Sequence, residues 1–178
     1  MPTNRLRWIV IAAVGAVSLA AGIYFGIEKG SSDARSDSLA SAALNGLALP
    51  DADGKEQRID QWRGKVVIVN FWATWCAPCR EEMPEFIKAQ TELGPKGLQI
   101  VGIAVDQPDK VRQFVAEIGL NYPALVGGFG AMELSRALGN TVMALPFTVI
   151  VDRNGAVAHT QLGVLKPDKL NSIVKQLL

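Results

Sequence analysis

The chain has 178 residues, of which 49% are apolar and 20% charged, with a formal net charge of +1. That length suits one globular domain with a sizeable core plus a short extra element. The near-neutral balance, without a block of like charge, removes the electrostatic basis for nucleic acid as a partner. With two cysteines and one histidine, the chain can be neither a disulfide-stapled scaffold nor a CxxC…CxxC zinc module.

Residues 1–7 carry Arg5 and Arg7 and are expected to lie in the cytoplasm. Residues 8–27 (WIVIAAVGAVSLAAGIYFGI) hold no charge. At about 1.5 Å per residue such a run crosses about 30 Å of hydrocarbon. It reads as an uncleaved transmembrane anchor that exports the rest of the chain, because the positive flank stays inside. Trp8 and Tyr24 stand where interfacial aromatics belong. A cleaved signal peptide is the alternative. Its apolar core is normally shorter, and the small-x-small sites at Ser18–Ala20 and Ala40–Ala42 fall inside the run or far beyond it. Residues 28–43 are rich in Ser, Ala and Asp without apolar period, and read as a flexible tether.

The globular domain is expected at residues 44–178, opening with a small hairpin around Asp51–Gly54. Val66 to Trp72 (VVIVNFW) is an almost unbroken apolar run, as a central strand buried on both faces requires. A helix follows from about Pro78 to Leu93 and stops at Gly94-Pro95. Leu98 to Val105 reads as a second buried strand. Pro108 opens a helix whose Val111, Phe114, Val115 and Ile118 keep i, i+3, i+4, i+7 spacing, with Gly119 as its stop. Tyr122 to Val126 suggests a short strand and Ala131 to Leu138 a short helix. Phe147 to Val151 and Val157 to Leu162 form a hairpin about Asp152–Gly155. A last helix opens at Pro167, with Leu170, Ile173, Val174 and Leu177 on one face. The order β, α, β, α, (β), α, β, β, α implies an α/β fold with a mixed central sheet and helices on both faces.

Cys76 falls between the first central strand and its helix, at the carboxyl end of a strand, where open α/β sheets place their sites. Free N–H groups and the helix dipole there favour a thiolate, the species that attacks a disulfide. Cys79 follows on the same helical face, so the two sulfurs can close a disulfide, and Cys79 can resolve a mixed disulfide formed at Cys76. Pro78 stiffens the first turn. Trp72 and Trp75 can shield the flanks from water. Glu82 lies one turn beyond Cys79, so its carboxylate can approach the pair. In a partly apolar setting its pKa should rise, which suits proton exchange. This chemistry calls for no cofactor and no metal.

The segment from Trp62 to Pro84, with NFWATW before Cys76 and CAPC at its centre, resembles the active-site region of the TlpA/ResA-type thioredoxins. The similarity runs from about Leu44 to the C-terminus. It implies a thioredoxin fold with an inserted βα-type element near Pro108 to Leu138. It also implies a single-pass protein of the bacterial cytoplasmic membrane, its catalytic domain on the extracytoplasmic (periplasmic) side. Members usually reduce protein disulfides, often in cytochrome c maturation, so the partners implied are exported protein thiols or disulfides, apocytochrome c among them. A membrane thiol transporter would supply electrons. The resemblance assigns Leu145-Pro146 to a cis-proline motif that shapes a substrate groove with Trp75 and Pro78, and it supports the role of Glu82. Phe147 departs from the Thr common after that proline. Asn70 stands where ordinary thioredoxins carry a buried Asp.

His159 reads as a surface or core residue rather than a ligand, Asp106 as a helix cap, and Phe129, Met132 and Met143 as packing residues. An oxidant or isomerase on the same fold stays open, because direction depends on the partners' potentials. A peroxiredoxin-type peroxidase wants a Thr three residues before the cysteine, where this chain has Ala73. A metallochaperone would want a Met- or His-rich segment beside the pair.

Overall fold

The computed structural model describes residues 39–178 and, before them, only Gly15 and Ser18, both helical. The expected cytoplasmic segment 1–7, nearly all of the anchor 8–27 and most of the tether 28–43 lie outside the described residues. Among the described residues no helix is long and apolar enough to cross a membrane.

Folded structure begins before Leu44. Residues 39–45 are helical (α1), with Ala40 and Leu44 buried one turn apart. Strands β1 (Ala48–Pro50) and β2 (Glu56–Arg58) pair antiparallel. Asp51 closes their turn, its Oδ1 accepting from the N–H groups of Asp53 (3.1 Å) and Lys55 (2.9 Å).

The main sheet has five strands in the order β5-β4-β3-β6-β7. At its centre β3 (Val66–Trp72) is buried at every position, because it pairs parallel with β4 (Leu98–Ala104) and antiparallel with β6 (Phe147–Val151). Short β5 (Ala124–Val126) lies parallel to β4, and β7 (Val157–Leu162) closes the other edge antiparallel to β6. The edge strand β7 alternates half-buried and exposed residues, unlike the three inner strands.

Strand alternation splits the core in two. Val66 and Ile68 pack with Ile100 under α2 (Ala77–Leu93) and α5 (Pro167–Leu177), through Phe86, Leu93, Leu170 and Val174. Val67, Val69 and Phe71 face the opposite way, into a cluster with Leu44 and Val101, with Val111 of α3 (Pro108–Ile118) and Ala131 of α4 (Gly130–Ala137). Helices therefore cover both faces, as the sequence implied. After α2 the chain continues as a 3-10 turn over Gly94–Lys96, and the left-handed stop is Gly97, at φ 108°. Phe147 points into the core, its ring 6.0 Å from that of Phe71.

Candidate active site

The carboxyl end of β3 delivers the chain into a tight turn, in which Cys76 N–H donates to Ala73 O (3.2 Å). Cys76 is the residue that caps α2, and its Sγ accepts from Cys79 N–H (3.3 Å). A helix N-terminus is where a negative sulfur is best tolerated. Pro78 occupies the first turn, where its missing N–H costs nothing. The sulfurs are joined at 2.06 Å, with Cα atoms 5.3 Å apart. Cys76 keeps 5% of its surface exposed and Cys79 none, so an incoming sulfur meets Cys76 first.

Cys76 opens into a cleft of about 580 Å³ that, among the described residues, has no charged residue on its wall. Trp75 (68% exposed), Pro78 and Leu145 are among the residues that line it. The Leu145–Pro146 bond is cis. Pro146 itself is buried and does not line the cleft, so Leu145 carries the wall that the sequence divided between the two.

Phe129, Met132 and Met143 also line the cleft. The packing role expected of them holds only for Met132, which lies against the core. Phe129 is 93% exposed, and Met143 is exposed with φ at 52°, in the left-handed region that a side chain rarely adopts. The signal in the sequence was the setting of Phe129, an aromatic between Gly128 and Gly130 with no apolar period around it.

Glu82 is 2% exposed and sits within the buried stripe of α2, between Cys79 and Phe86. Its Oε1 accepts from Asn70 Nδ2 (2.7 Å) and its Oε2 from Leu165 N–H (2.9 Å). Burial pushes the carboxyl up to about 7, against the opposing pull of the Leu165 and Asn70 hydrogen bonds. Asn70 Nδ2 also donates to Thr148 Oγ1 (3.1 Å), while Asn70 Oδ1 has no partner among the described residues. Tyr122 is buried too; burial and then the Glu82 charge raise its phenol above the ordinary value. A carboxyl poised near neutrality one turn from Cys79 can hold or release a proton where water has little access.

Asp106 does not cap α3 as expected. Gln107 occupies the cap position without a side-chain bond, and Asp106 reaches instead to Thr74. His159 is half-buried on β7 opposite Ile150. Burial and then the Lys169 charge lower its pKa, and it takes no part in the cleft.

A mixed sheet with a cysteine pair at the carboxyl end of its central strand and a cis-proline loop defines a thioredoxin-like thiol–disulfide oxidoreductase. The Redoxin family model matches residues 32–178, and the chain belongs to that family. It is similar to the thiol-disulfide oxidoreductase ResA of Bacillus thuringiensis subsp. konkukian, 30% identical over 132 residues and 74% of each chain. ResA of Halalkalibacterium halodurans is 28% identical over 167 residues, covering 92% of this chain and 90% of that protein. Among solved structures it resembles a thiol:disulfide interchange protein of the thioredoxin family from Chlorobium tepidum (28% identical, TM-score 0.67, covering 74% of this chain and 92% of that one). A secreted thiol-disulfide isomerase from Corynebacterium glutamicum is 25% identical, with a TM-score of 0.69 and coverage of 75% and 84%.

Proposed function

We propose that this protein is tethered to the bacterial cytoplasmic membrane by residues 8–27 and reduces protein disulfides on the extracytoplasmic side. The observation that carries this reading is the cysteine pair itself. One sulfur is reachable at a helix N-terminus inside an uncharged apolar cleft, and the other is sealed beneath it.

In the reducing cycle the Cys76 thiolate attacks one sulfur of a substrate disulfide. That bond breaks, and the departing sulfur takes up a proton as the first substrate thiol. Cys79 gives its proton to the Glu82 carboxylate and attacks Cys76 Sγ. The mixed disulfide breaks, the second substrate sulfur leaves as a thiolate and is protonated, and Cys76–Cys79 becomes a disulfide. Two electrons pass to the substrate. The Asn70 amide suits both states of Glu82. Its Nδ2 serves the carboxylate, and a half-turn brings the unused Oδ1 to meet the protonated acid.

Trp75, Pro78 and Leu145, backed by Pro146, form the groove for the polypeptide around the substrate cysteine. Its lack of charge favours apolar protein segments over small charged thiols. Apocytochrome c is a partner of this kind, and a membrane thiol transporter recharges the pair. The reducing direction is read from the resemblance of the Trp62–Pro84 segment to TlpA/ResA-type thioredoxins, whose members usually reduce protein disulfides. The likeness to a secreted isomerase favours isomerisation as a second reading.

The reduction potential of the Cys76–Cys79 couple tests the choice. A reductant requires a value nearer the thioredoxin level of about −270 mV than the strong oxidant's of about −120 mV. A value near the latter rejects it. Reporter fusions after Leu178 test the tether, which fails if only a cytoplasm-dependent reporter is active.

A further inference from the structure

Strand β4 does not release its partner at Ala104. Val105 N–H still donates to Trp72 O (2.8 Å), which brings the next residue, Asp106, alongside the turn that leads to Cys76. The Asp106 side chain is only 5% exposed. Its Oδ2 accepts from both the N–H (3.3 Å) and the hydroxyl (2.5 Å) of Thr74. Its Oδ1 accepts from Gln107 N–H (2.9 Å) and lies 3.9 Å from Lys110 Nζ. One carboxylate thus joins the start of α3 to the middle of the turn between Ala73 and Cys76.

A carboxylate is costly to bury, and it persists where hydrogen bonds replace the lost water. Burial raises the Asp106 pKa, but the Thr74 and Gln107 bonds, with the Lys110 charge, outweigh it and hold the group below the ordinary value. The clamp is therefore ionised at neutral pH. Lys110 is too exposed and too distant to be its main support.

What the clamp holds is the backbone beneath Trp75. That indole is 68% exposed, so packing alone does not fix it. The place of Trp75 beside the cleft depends on the backbone that carries it, between Thr74 and Cys76. The Ala73–Cys76 hydrogen bond secures the far end of the turn, and Asp106 secures the middle.

We propose that Asp106, acting through Thr74, is a positioning residue for thiol–disulfide exchange: it holds the Ala73–Cys76 turn so that Trp75 presents its face to a protein substrate entering at Cys76. This rests on the reading that Cys76 attacks a protein disulfide bound in the cleft. An ordered aromatic wall lowers the cost of docking a flexible polypeptide segment, and it matters less to a small disulfide that needs no groove.

The test uses the full-length chain with Thr74→Val, Thr74→Ser and Asp106→Asn. Thr74→Val removes the hydroxyl donor at nearly constant volume, Thr74→Ser restores it, and Asp106→Asn leaves one acceptor oxygen where two are used. Reduction of insulin is compared with reduction of a small aromatic disulfide, alongside Tm. We expect Thr74→Val and Asp106→Asn to lose about tenfold in kcat/KM on insulin, mainly through KM. The loss on the small disulfide should be at least fivefold smaller, and Thr74→Ser should stay within twofold of the parent. Equal losses on both disulfides that track a fall in Tm would reduce the clamp to a stabilising contact and overturn the proposal. So would unchanged insulin reduction by Thr74→Val. Insulin reduction by Cys76→Ser at the parental rate would instead strike the underlying reading of the site.

Discussion

Asn70 Nδ2 donates to Glu82 Oε1 at 2.7 Å inside the core, joining the central strand to the active-site helix. An amide next to a carboxyl, rather than a second acid, leaves Glu82 as the group that titrates near neutrality beside the pair. Its pKa rises from 4.5 in the unfolded chain to about 7. The folded state therefore binds more protons than the unfolded one between these values, and stability falls as pH rises through them.

Glu82→Gln should remove that slope. At pH 4.5 the variant and parent should be similar in urea denaturation. Above pH 7 the variant should be the more stable, by roughly 3 kcal/mol, because each pH unit between the two values costs the parent about 1.4 kcal/mol. The Asn70 amide can turn its free Oδ1 toward the new amide, so the exchange leaves no clash of donors. Parallel stability curves across this range would show that Glu82 does not titrate there.

The same substitution should slow resolution of the mixed disulfide. Stopped-flow reduction at pH 7 should show a drop of about a hundredfold, the lower end of the range for a lost general base. Glu81→Gln, on the exposed face of the helix, should leave both the rate and the cysteine titration as they are. Equal rates in the Glu82 and Glu81 variants would mean that the proton travels by water.

Cys79→Ser should trap a mixed disulfide with a protein substrate, and Cys76→Ser should not. The reason is access, since Cys79 has no exposed surface and Cys76 stands at the cleft. Non-reducing electrophoresis after acid quenching reads the outcome, and equal trapping by both would reverse the assignment of roles.

Phe129→Ala should raise KM for a protein disulfide several-fold. Its ring is 93% exposed, so the loss of stability should be within about 0.5 kcal/mol. A fall in Tm without a change in KM would return Phe129 to the packing role its sequence suggested.

The elements themselves were legible locally. The apolar run of β3, the i, i+3, i+4, i+7 faces of α3 and α5, and the prolines and glycines at their ends mark periodicities and stops within a few residues. The CAPC motif at a strand-to-helix junction likewise specified the chemistry of the pair, because a helix N-terminus acts on the residues that open it.

What tertiary structure decided was which distant groups meet. Glu82 could be placed one turn from Cys79 by counting, but its second partner, Leu165 N–H, comes from the segment leading into α5. Asp106 read as a cap because acids precede helices. Only the pairing of β4 beside β3, extended by Val105, turned it toward Thr74. Phe129 and Leu145 line one cleft though they belong to separate segments. Such meetings depend on sheet register and on which face each helix covers, and those are set by burial of the whole core rather than by any short stretch of sequence.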